Sequence, residues 1–326
     1  MSFIESTLYQ TMGHSPLQVL THPLLTEKSI TVSVKRDDLL HPDISGNKWR
    51  KLKYNLLYAE ANNKNHLISF GGAFSNHIHA LAAACNHFKF QATGIIRGEA
   101  HYASNPTLAQ VQKWGMELQF IDRKTYRLKE QYEYLTTLQA QYPTAYIIPE
   151  GGSNKLAIPG VEEVVEELTQ QYKLINKQTD KQQSIDHIFT ATGSAGTLAG
   201  LISGALKYSP NTIVNGIAVL KDAHYLTQTV KDFVEQERKI NWHLHTNFHE
   251  GGYGKISPTL ADFCRQFTSD TDIPIEPIYS GKMFYALWQL IEQDYFPVGT
   301  NIVALHTGGL QGLAGLKAQK RFTPSV

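Results

Sequence analysis

Four basic residues occur within six positions of the segment SGNKWRKLKY, which spans residues 45–54. They are Lys48, Arg50, Lys51 and Lys53, and the Gly-Asn pair before them indicates a turn that leads into a helix. The first turns of a helix favour anions, because the N-terminal end of the helix dipole is positive. The pattern therefore predicts that a negatively charged group binds there, with a solvated basic helix face as the alternative.

Glycine and small polar residues follow several short apolar runs. The segments are ISFGGAFSNH, IIPEGGSNK, IFTATGSAGT, PIYSGKMF and VALHTGGLQG. Glycine lets backbone N–H groups approach an anion, and ligands of open parallel sheets bind beyond the carboxyl ends of the strands. Together these turns predict one shared cleft, although any one of them alone also fits an ordinary strand-to-helix turn.

The segment ATGSAGTLAG, residues 191–200, is suited to binding a single phosphate. Gly193 and Gly196 allow close backbone approach, Ser194 and Thr197 offer hydroxyl groups, and a helix of small residues begins there. The segment lacks the lysine of a Walker loop and the spacing of a dinucleotide site, so a nicotinamide-dependent oxidoreductase is the weaker alternative. One phosphate together with a lysine at the start of a helix points to pyridoxal phosphate.

The elements that must position these residues alternate along the chain. Short β-branched or aromatic runs are separated by stretches with helical spacing, which predicts α/β architecture with parallel sheets and helices on both faces. The predicted strands are SITVSV, HLISF, ATGII, ELQFI, AYIIP, DHIFTAT, TIVNGIAVL, IEPIY and NIVAL. So many strands predict two open-sheet domains, with a (β/α) barrel as the alternative.

The composition narrows the class of protein. The chain has 326 residues, 42% of them hydrophobic, and a formal net charge of +1, so it offers no global attraction to nucleic acid. No segment stays apolar long enough to span a bilayer, and Cys85 and Cys264 follow no pairing pattern. These features predict a cytoplasmic protein with no nucleic-acid or membrane partner.

Several motifs give the chain a recognisable pattern. The stretches KRDDLLHPDISGNKWRKLKYNL and ISFGGAFSNHIHALAAA are followed in order by EGGSN, ATGSAGT, GGYG, YSGK and HTGG. This order resembles the 1-aminocyclopropane-1-carboxylate deaminase and D-cysteine desulfhydrase family, which has the tryptophan synthase β-like fold of type II pyridoxal phosphate enzymes. The resemblance implies a large domain at residues 1–45 and 166–326, and a small domain at 46–165 that carries the Schiff-base lysine.

By the same resemblance, Lys48 forms the Schiff base with the cofactor and acts as a catalytic base. Lys51 then lies near the cofactor phosphate, Asn76 bonds the ring hydroxyl, and Arg50 and Lys53 are interpreted as solvated. The phosphate-binding residues implied by the ATGSAGT motif are Thr192, Gly193, Ser194, Ala195, Gly196 and Thr197.

The resemblance also implies the residues that contact the substrate. Ser75, Asn76 and His77 lie at a predicted helix N-terminus, where they can donate hydrogen bonds to an α-carboxylate. Tyr279 is expected against the cofactor, near the reacting carbons of the substrate, and Ser75 and Tyr279 are candidate catalytic residues. Tyr253 matches a further active-site tyrosine.

Ser280 and Thr307 distinguish two activities within the family. Deaminases of the cyclopropane substrate carry glutamate at the position of Ser280, whereas desulfhydrases carry a neutral hydroxyl that does not hold the pyridine nitrogen protonated. A weaker electron sink suits elimination of a good leaving group. Thr307 likewise resembles the desulfhydrase pattern.

The predicted reaction is therefore α,β-elimination on a small amino acid, with D-cysteine giving pyruvate, sulfide and ammonia. The alternatives are cyclopropane deamination, elimination from other β-substituted amino acids, and a pyridoxal phosphate carrier without turnover. A homodimer is expected from the resemblance. His243, His245 and His249 form a cluster that a metal could use, but no carboxylate or cysteine pattern completes a familiar site, so no metal is predicted.

Overall fold

Ten strands form two sheets in the computed structural model, which describes residues 4, 7, 11–44, 46–180, 182–234 and 241–324. The strands are β1 Leu17–Val19, β2 Thr31–Lys35, β3 His66–Gly72, β4 Gln91–Arg97, β5 Glu117–Ile121, β6 Ala145–Ile148, β7 His187–Thr192, β8 Ile213–Ala218, β9 Trp242–His245 and β10 Asn301–Leu305. The larger sheet has six strands in the order β1-β2-β10-β7-β8-β9, and the smaller has four in the order β5-β4-β3-β6. All neighbouring strands are parallel except β1 and β2.

Helices connect the parallel strands, as right-handed crossovers require. Their bounds are α1 Pro23–Glu27, α2 Gly46–Ala61, α3 Asn76–Phe88, α4 Pro106–Lys113, α5 Arg123–Tyr126, α6 Tyr132–Gln141, α7 Ala157–Thr179, α8 Ala195–Tyr208, α9 Leu226–Phe233, α10 Pro258–Thr271, α11 Ser280–Glu292 and α12 Gly312–Ala318. Single 3₁₀ turns occupy Asp37–Leu39, Ala100–Ser104, Glu150–Gly152 and Ala223–Tyr225.

Both faces of each sheet are covered, because successive apolar residues of a strand point to opposite sides. In β7, Ile188 packs in one core with helices α7 and α8, whereas its neighbour Phe189 packs in a second core with helix α11. In β4, Ile95 and Ile96 divide in the same way between the two cores of the smaller sheet. The prediction of two open α/β domains is thus confirmed.

One predicted strand is wrong. Residues 275–279, IEPIY, form a turn that leads directly into helix α11. Pro277 cannot donate a ladder hydrogen bond, and the Glu276 carboxylate accepts bonds from the N–H groups of Ile278 and Tyr279 at 2.7 and 2.9 Å. This local bonding replaces the hydrogen bonds of a strand ladder. The edges of the larger sheet are formed by the two short strands β1 and β9.

The predicted domain boundaries fall in closely packed regions. Residues 165 and 166 lie inside helix α7, which packs against both α2 and α8. Ser45, at the other boundary, is outside the described residues. In the described ranges, no helix combines the length and apolar character that crossing a bilayer needs.

Candidate active site

The helix that carries Lys48 begins in contact with the other domain. Gly46 has a φ of +65°, and a Cβ there would lie 1.9 Å from the carbonyl oxygen of Thr307. The backbone N–H of Asn47 donates to the same carbonyl oxygen at 3.3 Å. Only glycine fits this approach, so the Gly-Asn pair fixes the first turn of α2 against the Thr307 loop.

A narrow cavity at this junction brings together predicted residues from four segments of the chain. Lys48, Asn76, Tyr279 and Thr307 all line it. Gly308 and Gly309 complete one wall with positive φ values of 76° and 90°. The cavity lies beyond the carboxyl ends of β3 and β10, which is where an open parallel sheet binds ligands.

Two of the four cations in the first turns of α2 have carboxylate partners. Arg50 is only 3% exposed, and it forms paired bonds with Asp37, at 2.9 and 3.1 Å, and with Glu167, at 2.5 and 2.9 Å. Lys53 bonds Glu163 at 2.6 Å. The interpretation of Arg50 and Lys53 as solvated is therefore wrong, because both tie α2 to neighbouring elements.

Lys48 and Lys51 lack such partners. Within the described part of the chain, no carboxylate lies within 4.0 Å of either amino group. Burial lowers the pKa of Lys48 to about 8, and burial together with the charge of Lys48 lowers the pKa of Lys51 well below its ordinary value. A pair of adjacent, unpaired lysines is suited to hold an anion and to supply a neutral amine.

The predicted phosphate loop lies beside Lys51. The Lys51 amino group donates to Ser194 Oγ at 3.4 Å and to Ser153 Oγ at 3.3 Å, and the two serine hydroxyls are 3.0 Å apart. Asn47 Nδ2 donates to Thr197 Oγ1 at 2.9 Å, which joins α2 to the first turn of α8. The loop and the lysine thus form one polar cluster.

This cluster fits a phosphate. The N-terminus of α8 has no side-chain cap from Ser194, so its first N–H groups are available to a ligand. Thr192 is 1% exposed, and its hydroxyl has no hydrogen-bond partner. A Cβ at Gly193 would lie 2.9 Å from the Tyr279 ring, and one at Gly196 would lie 2.7 Å from Ser153 Oγ.

The predicted substrate turn divides between two roles. Ser75 Oγ accepts from the N–H of Ile78 at 3.2 Å and so caps helix α3, whereas Asn76 lines the cavity with Lys48. His77 is 2% exposed and shares a 2.8 Å hydrogen bond with Ser69 Oγ. Burial, Lys48 and Lys51 lower the pKa of His77 well below its usual value, so the ring is neutral. His77 is not among the residues that line this cavity.

Tyr253 and Tyr279 meet at their hydroxyl groups. The two oxygens are 3.1 Å apart, and the ring centroids are separated by 5.9 Å. Burial, reinforced by the neighbouring Tyr253, raises the pKa of Tyr279 well above its ordinary value. Both phenols are therefore neutral hydrogen-bond donors at neutral pH.

Sequence reasoning missed the carboxyl group behind Ser280. Ser280 is 0% exposed, its Oγ lies 3.1 Å from Glu276 Oε1, and it accepts from the Glu276 N–H at 3.0 Å. Burial raises the pKa of Glu276 to about 7, against the opposing hydrogen bonds from Ser280, Ile278 and Tyr279. An acidic residue beside proline, just before a helix, was the available signal.

A second missed residue is Lys282 in the YSGK motif. It is fully buried, and its amino group donates to the carbonyl of Gly252 at 2.7 Å and to that of Val219 at 3.4 Å. Burial lowers its pKa to about 8. Lys282 therefore fixes the loop that presents Tyr253, which explains why a lysine stands two residues after Ser280.

The three clustered histidines have other contacts. His245 Nε2 lies 3.1 Å from Asn215 Oδ1, and burial lowers its pKa to about 4. His249 Nδ1 accepts from the N–H of Gly251 at 3.0 Å. In the described segments, no group of three histidine, cysteine or acidic side chains is arranged to hold a metal ion.

Comparison with known proteins places this geometry in context. The family model described as "Pyridoxal-phosphate dependent enzyme" matches residues 10–308. The bifunctional D-cysteine desulfhydrase/1-aminocyclopropane-1-carboxylate deaminase of Arabidopsis thaliana is 30% identical over 302 residues, covering 86% of this chain and 72% of the relative. The D-cysteine desulfhydrase of Klebsiella pneumoniae is 28% identical over 294 residues, covering 86% and 88%.

Solved structures show the same architecture. The crystal structure of a homologue of 1-aminocyclopropane-1-carboxylate deaminase superimposes with a TM-score of 0.78 at 27% identity, covering 98% of each chain. A threonine deaminase isoform from Solanum lycopersicum superimposes with a TM-score of 0.63 at 16% identity, covering 94% of this chain and 82% of that chain. The second similarity concerns the fold alone.

Proposed function

Because the chain belongs to the family of pyridoxal-phosphate dependent enzymes, we propose that it acts as a D-cysteine desulfhydrase. Its cofactor is pyridoxal phosphate, its relatives are elimination enzymes, and the nicotinamide alternative is thereby removed. The observation that carries the proposal is the hydroxyl of Ser280, which stands where the resemblance implies glutamate in cyclopropane deaminases. The products are pyruvate, sulfide and ammonia.

The proposed reaction uses groups whose positions are described above. When bound, pyridoxal phosphate supplies a carbonyl carbon for attachment of an amine and a ring that draws electrons from Cα. Lys51 and residues 192–197 hold the phosphate, and the turn at Ser75 and Asn76 binds the substrate carboxylate. The Lys48 amino group takes the proton from Cα, because a pKa lowered to about 8 gives it a larger neutral fraction near neutral pH than an ordinary lysine has.

The leaving group then departs without any redox change. As the proton moves to Lys48 Nζ, the Cβ–S bond breaks and sulfur leaves with the electron pair. The remaining three-carbon enamine hydrolyses to pyruvate and ammonia. In the proposed reaction, Tyr253 and Tyr279, whose hydroxyl oxygens are 3.1 Å apart, donate hydrogen bonds to the departing sulfur.

A second substrate has support from a specific observation. The Arabidopsis relative carries both activity names. The Glu276 carboxyl, one hydrogen bond behind Ser280, also brings an acidic group close to the position where the resemblance implies glutamate. Deamination of 1-aminocyclopropane-1-carboxylate is therefore the alternative activity.

A substrate panel tests the proposal. The purified holoenzyme is given D-cysteine, L-cysteine, D-serine, β-chloroalanine and 1-aminocyclopropane-1-carboxylate, and keto acid and sulfide are measured. We expect the highest kcat/KM with D-cysteine, with equal release of pyruvate and sulfide. A higher kcat/KM with the cyclopropane substrate contradicts the proposal, and cofactor binding without turnover of any substrate supports the carrier alternative.

Cofactor capture is predicted to depend on the pKa of Lys48. Because the neutral amine is the nucleophile, the rate at which apoprotein captures pyridoxal phosphate should rise with pH through about 8 and then level off. An ordinary lysine would continue to gain reactivity up to about pH 10.4. The rate is followed by absorbance after rapid mixing, and a continued rise toward that higher pH contradicts the assignment.

The Ser194→Ala/Thr197→Ala double variant is predicted to lose cofactor affinity. Each charge-assisted bond to phosphate contributes about 1 to 3 kcal/mol, so cofactor retention should weaken by roughly 10-fold or more. Ser184→Ala is the control, since Ser184 is exposed and remote from this loop. Retention is measured by dialysis against buffer without cofactor, and unchanged retention means that the loop serves only the fold.

A homodimer located in the cytoplasm is also part of the proposal. The homodimer rests on the family resemblance, and the location rests on Cys85 and Cys264, which are both free and buried. Sedimentation of the holoenzyme tests the oligomeric state, and a monomer over a wide concentration range contradicts it.

A further inference from the structure

A second cavity, of about 500 Å3, opens at the carboxyl edge of the four-stranded sheet. Its floor includes Gly72, Ala73 and Phe74, which directly precede the substrate turn at Ser75 and Asn76. Residues that line this cavity are therefore adjacent in the chain to residues of the candidate active site. We call it the basic cavity, because basic side chains outnumber acidic ones on its walls.

Positive charge exceeds negative charge around the basic cavity. The basic residues on its walls are Arg97, Arg123, Arg127 and Lys129, and the acidic residues are Glu99 and Glu150. The Lys129 amino group lies 3.3 Å from the Glu150 carboxylate, so this pair neutralises one positive and one negative charge.

The three arginines remain available for a ligand. In the ranges that the structure describes, none of these guanidinium groups lies within 4.0 Å of a carboxylate. Arginine without a carboxylate partner is suited to bind planar or tetrahedral anions through paired N–H bonds. The unbalanced charge thus points to an anionic ligand.

Tyr126 holds part of this arrangement in place. Its ring contacts both Arg97, whose Cζ lies 5.6 Å from the ring centroid, and Lys129, whose Nζ lies 5.2 Å from it. The residue is 3% exposed, and its hydroxyl has no partner at hydrogen-bonding distance in the described part of the chain. Burial, reinforced by nearby Glu150, raises the pKa of this phenol.

The charges of the basic cavity reach the candidate active site. Burial raises the pKa of Tyr253, Glu150 adds to this rise, and Arg97 opposes it. Glu150 also acts on Tyr279, which lines the cavity beside Lys48. The basic cavity also adjoins the candidate site in space, because Glu150 on its wall is followed by Gly151, where a Cβ would lie 3.8 Å from Lys51 Nζ. This proximity allows the side chain of an amino acid bound at Asn76 to extend toward the arginines.

We propose that the basic cavity binds the anionic end of the substrate's side chain, so that amino acids with a phosphorylated β-hydroxyl are substrates. The inference rests on the proposed elimination activity and specifies its substrate class. With O-phosphoserine, the Cα proton moves to Lys48 and the Cβ–O bond breaks. Phosphate leaves with the electron pair, and the enamine hydrolyses to pyruvate and ammonia without an oxidant or reductant.

The test compares a charged with a neutral substrate on the holoenzyme. O-phosphoserine and β-chloroalanine are assayed as both enantiomers with the wild type, Arg97→Gln and Arg127→Gln. Loss of one charge-assisted contact should raise KM for O-phosphoserine by roughly 10-fold or more, while KM for β-chloroalanine changes by less than about 2-fold. Arg265→Gln is the matched control, since Arg265 is a half-buried arginine on α10 that pairs with Asp262 and does not line the basic cavity.

Binding without turnover gives a second readout. Calorimetry with 2-amino-3-phosphonopropionate, which lacks a cleavable Cβ–O bond, should show affinity that Arg97→Gln and Arg127→Gln lower by a similar factor. If KM for both substrates changes equally, or if inorganic phosphate alone binds as tightly as the phosphonate, the inference is overturned. Absence of turnover with every substrate removes the proposed function instead, and phosphonate binding then still decides whether the basic cavity holds an anion.

Discussion

Replacing Lys48 with alanine is expected to lower turnover by at least about 10³-fold, because one amino group anchors the cofactor and moves the Cα proton. Lys48 is half-buried at the start of α2, and no carboxylate in the described part of the chain pairs with it. The variant should therefore keep its fold. The measurements are kcat for D-cysteine, the visible absorbance of the purified protein, and the thermal midpoint of the apoprotein.

Neighbouring lysines provide controls for this prediction. Lys53→Ala removes a cation that bonds Glu163 at 2.6 Å, so it should leave turnover within about 3-fold of the wild type and cost about 1 kcal/mol of stability at most. Lys51→Ala should weaken cofactor retention while leaving covalent attachment at Lys48. Equal loss of activity in Lys48→Ala and Lys53→Ala would show that the helix, rather than Lys48, is the sensitive element.

Ser280→Glu is expected to lower kcat for D-cysteine elimination by roughly 10²-fold and to increase the long-wavelength absorbance of the holoenzyme with substrate. The new carboxyl would keep the pyridine nitrogen protonated, which favours side reactions such as transamination. It would also lie beside Glu276, whose pKa is already raised to about 7 by burial. Two adjacent buried carboxyls cannot both ionise readily, so the effect should increase as pH rises above about 7.

The conservative variant Ser280→Thr separates charge from shape. It keeps the hydroxyl that bonds Glu276, and we expect elimination within about 5-fold of the wild type because the change adds one methyl group. Keto acid, sulfide and pyridoxamine phosphate are measured for both variants. If Ser280→Glu eliminates sulfide as fast as Ser280→Thr, position 280 does not control the electron sink.

Strands buried within the two sheets could be predicted from the sequence. His66–Gly72 and Asn301–Leu305 match the apolar runs HLISF and NIVAL, because a strand covered by helices must be apolar along its length. Leu17–Val19 and Trp242–His245 could not, since edge strands of three and four residues have too little periodicity to distinguish them from loops.

The error at residues 275–279 has a local cause that composition hides. Ile275, Ile278 and Tyr279 read as a strand, but the Glu276 carboxylate bonds three successive backbone N–H groups and begins a helix. The error at Arg50 has a distant cause. Its partner Glu167 is 117 positions away in the sequence, and no local pattern predicts that pairing.

The candidate site was predictable where single residues carry the chemistry. Lys48, Asn76, Tyr279 and Thr307 were predicted separately and line one cavity. Pairs that form only after folding were not predictable, such as Glu276 with Ser280 and Lys282 with the carbonyl of Gly252. Such pairs depend on which backbone and side-chain atoms come into contact after folding. Local sequence patterns do not predict these contacts.

Reduction of the holoenzyme with borohydride, followed by peptide mapping, tests the central claim most directly. Borohydride makes the bond between the cofactor and its lysine permanent, so the modified residue can be read by mass spectrometry. The account predicts one modified peptide, carrying the cofactor on Lys48 in the sequence NKWR. Attachment to Lys51, to Lys282 or to any other lysine would contradict it.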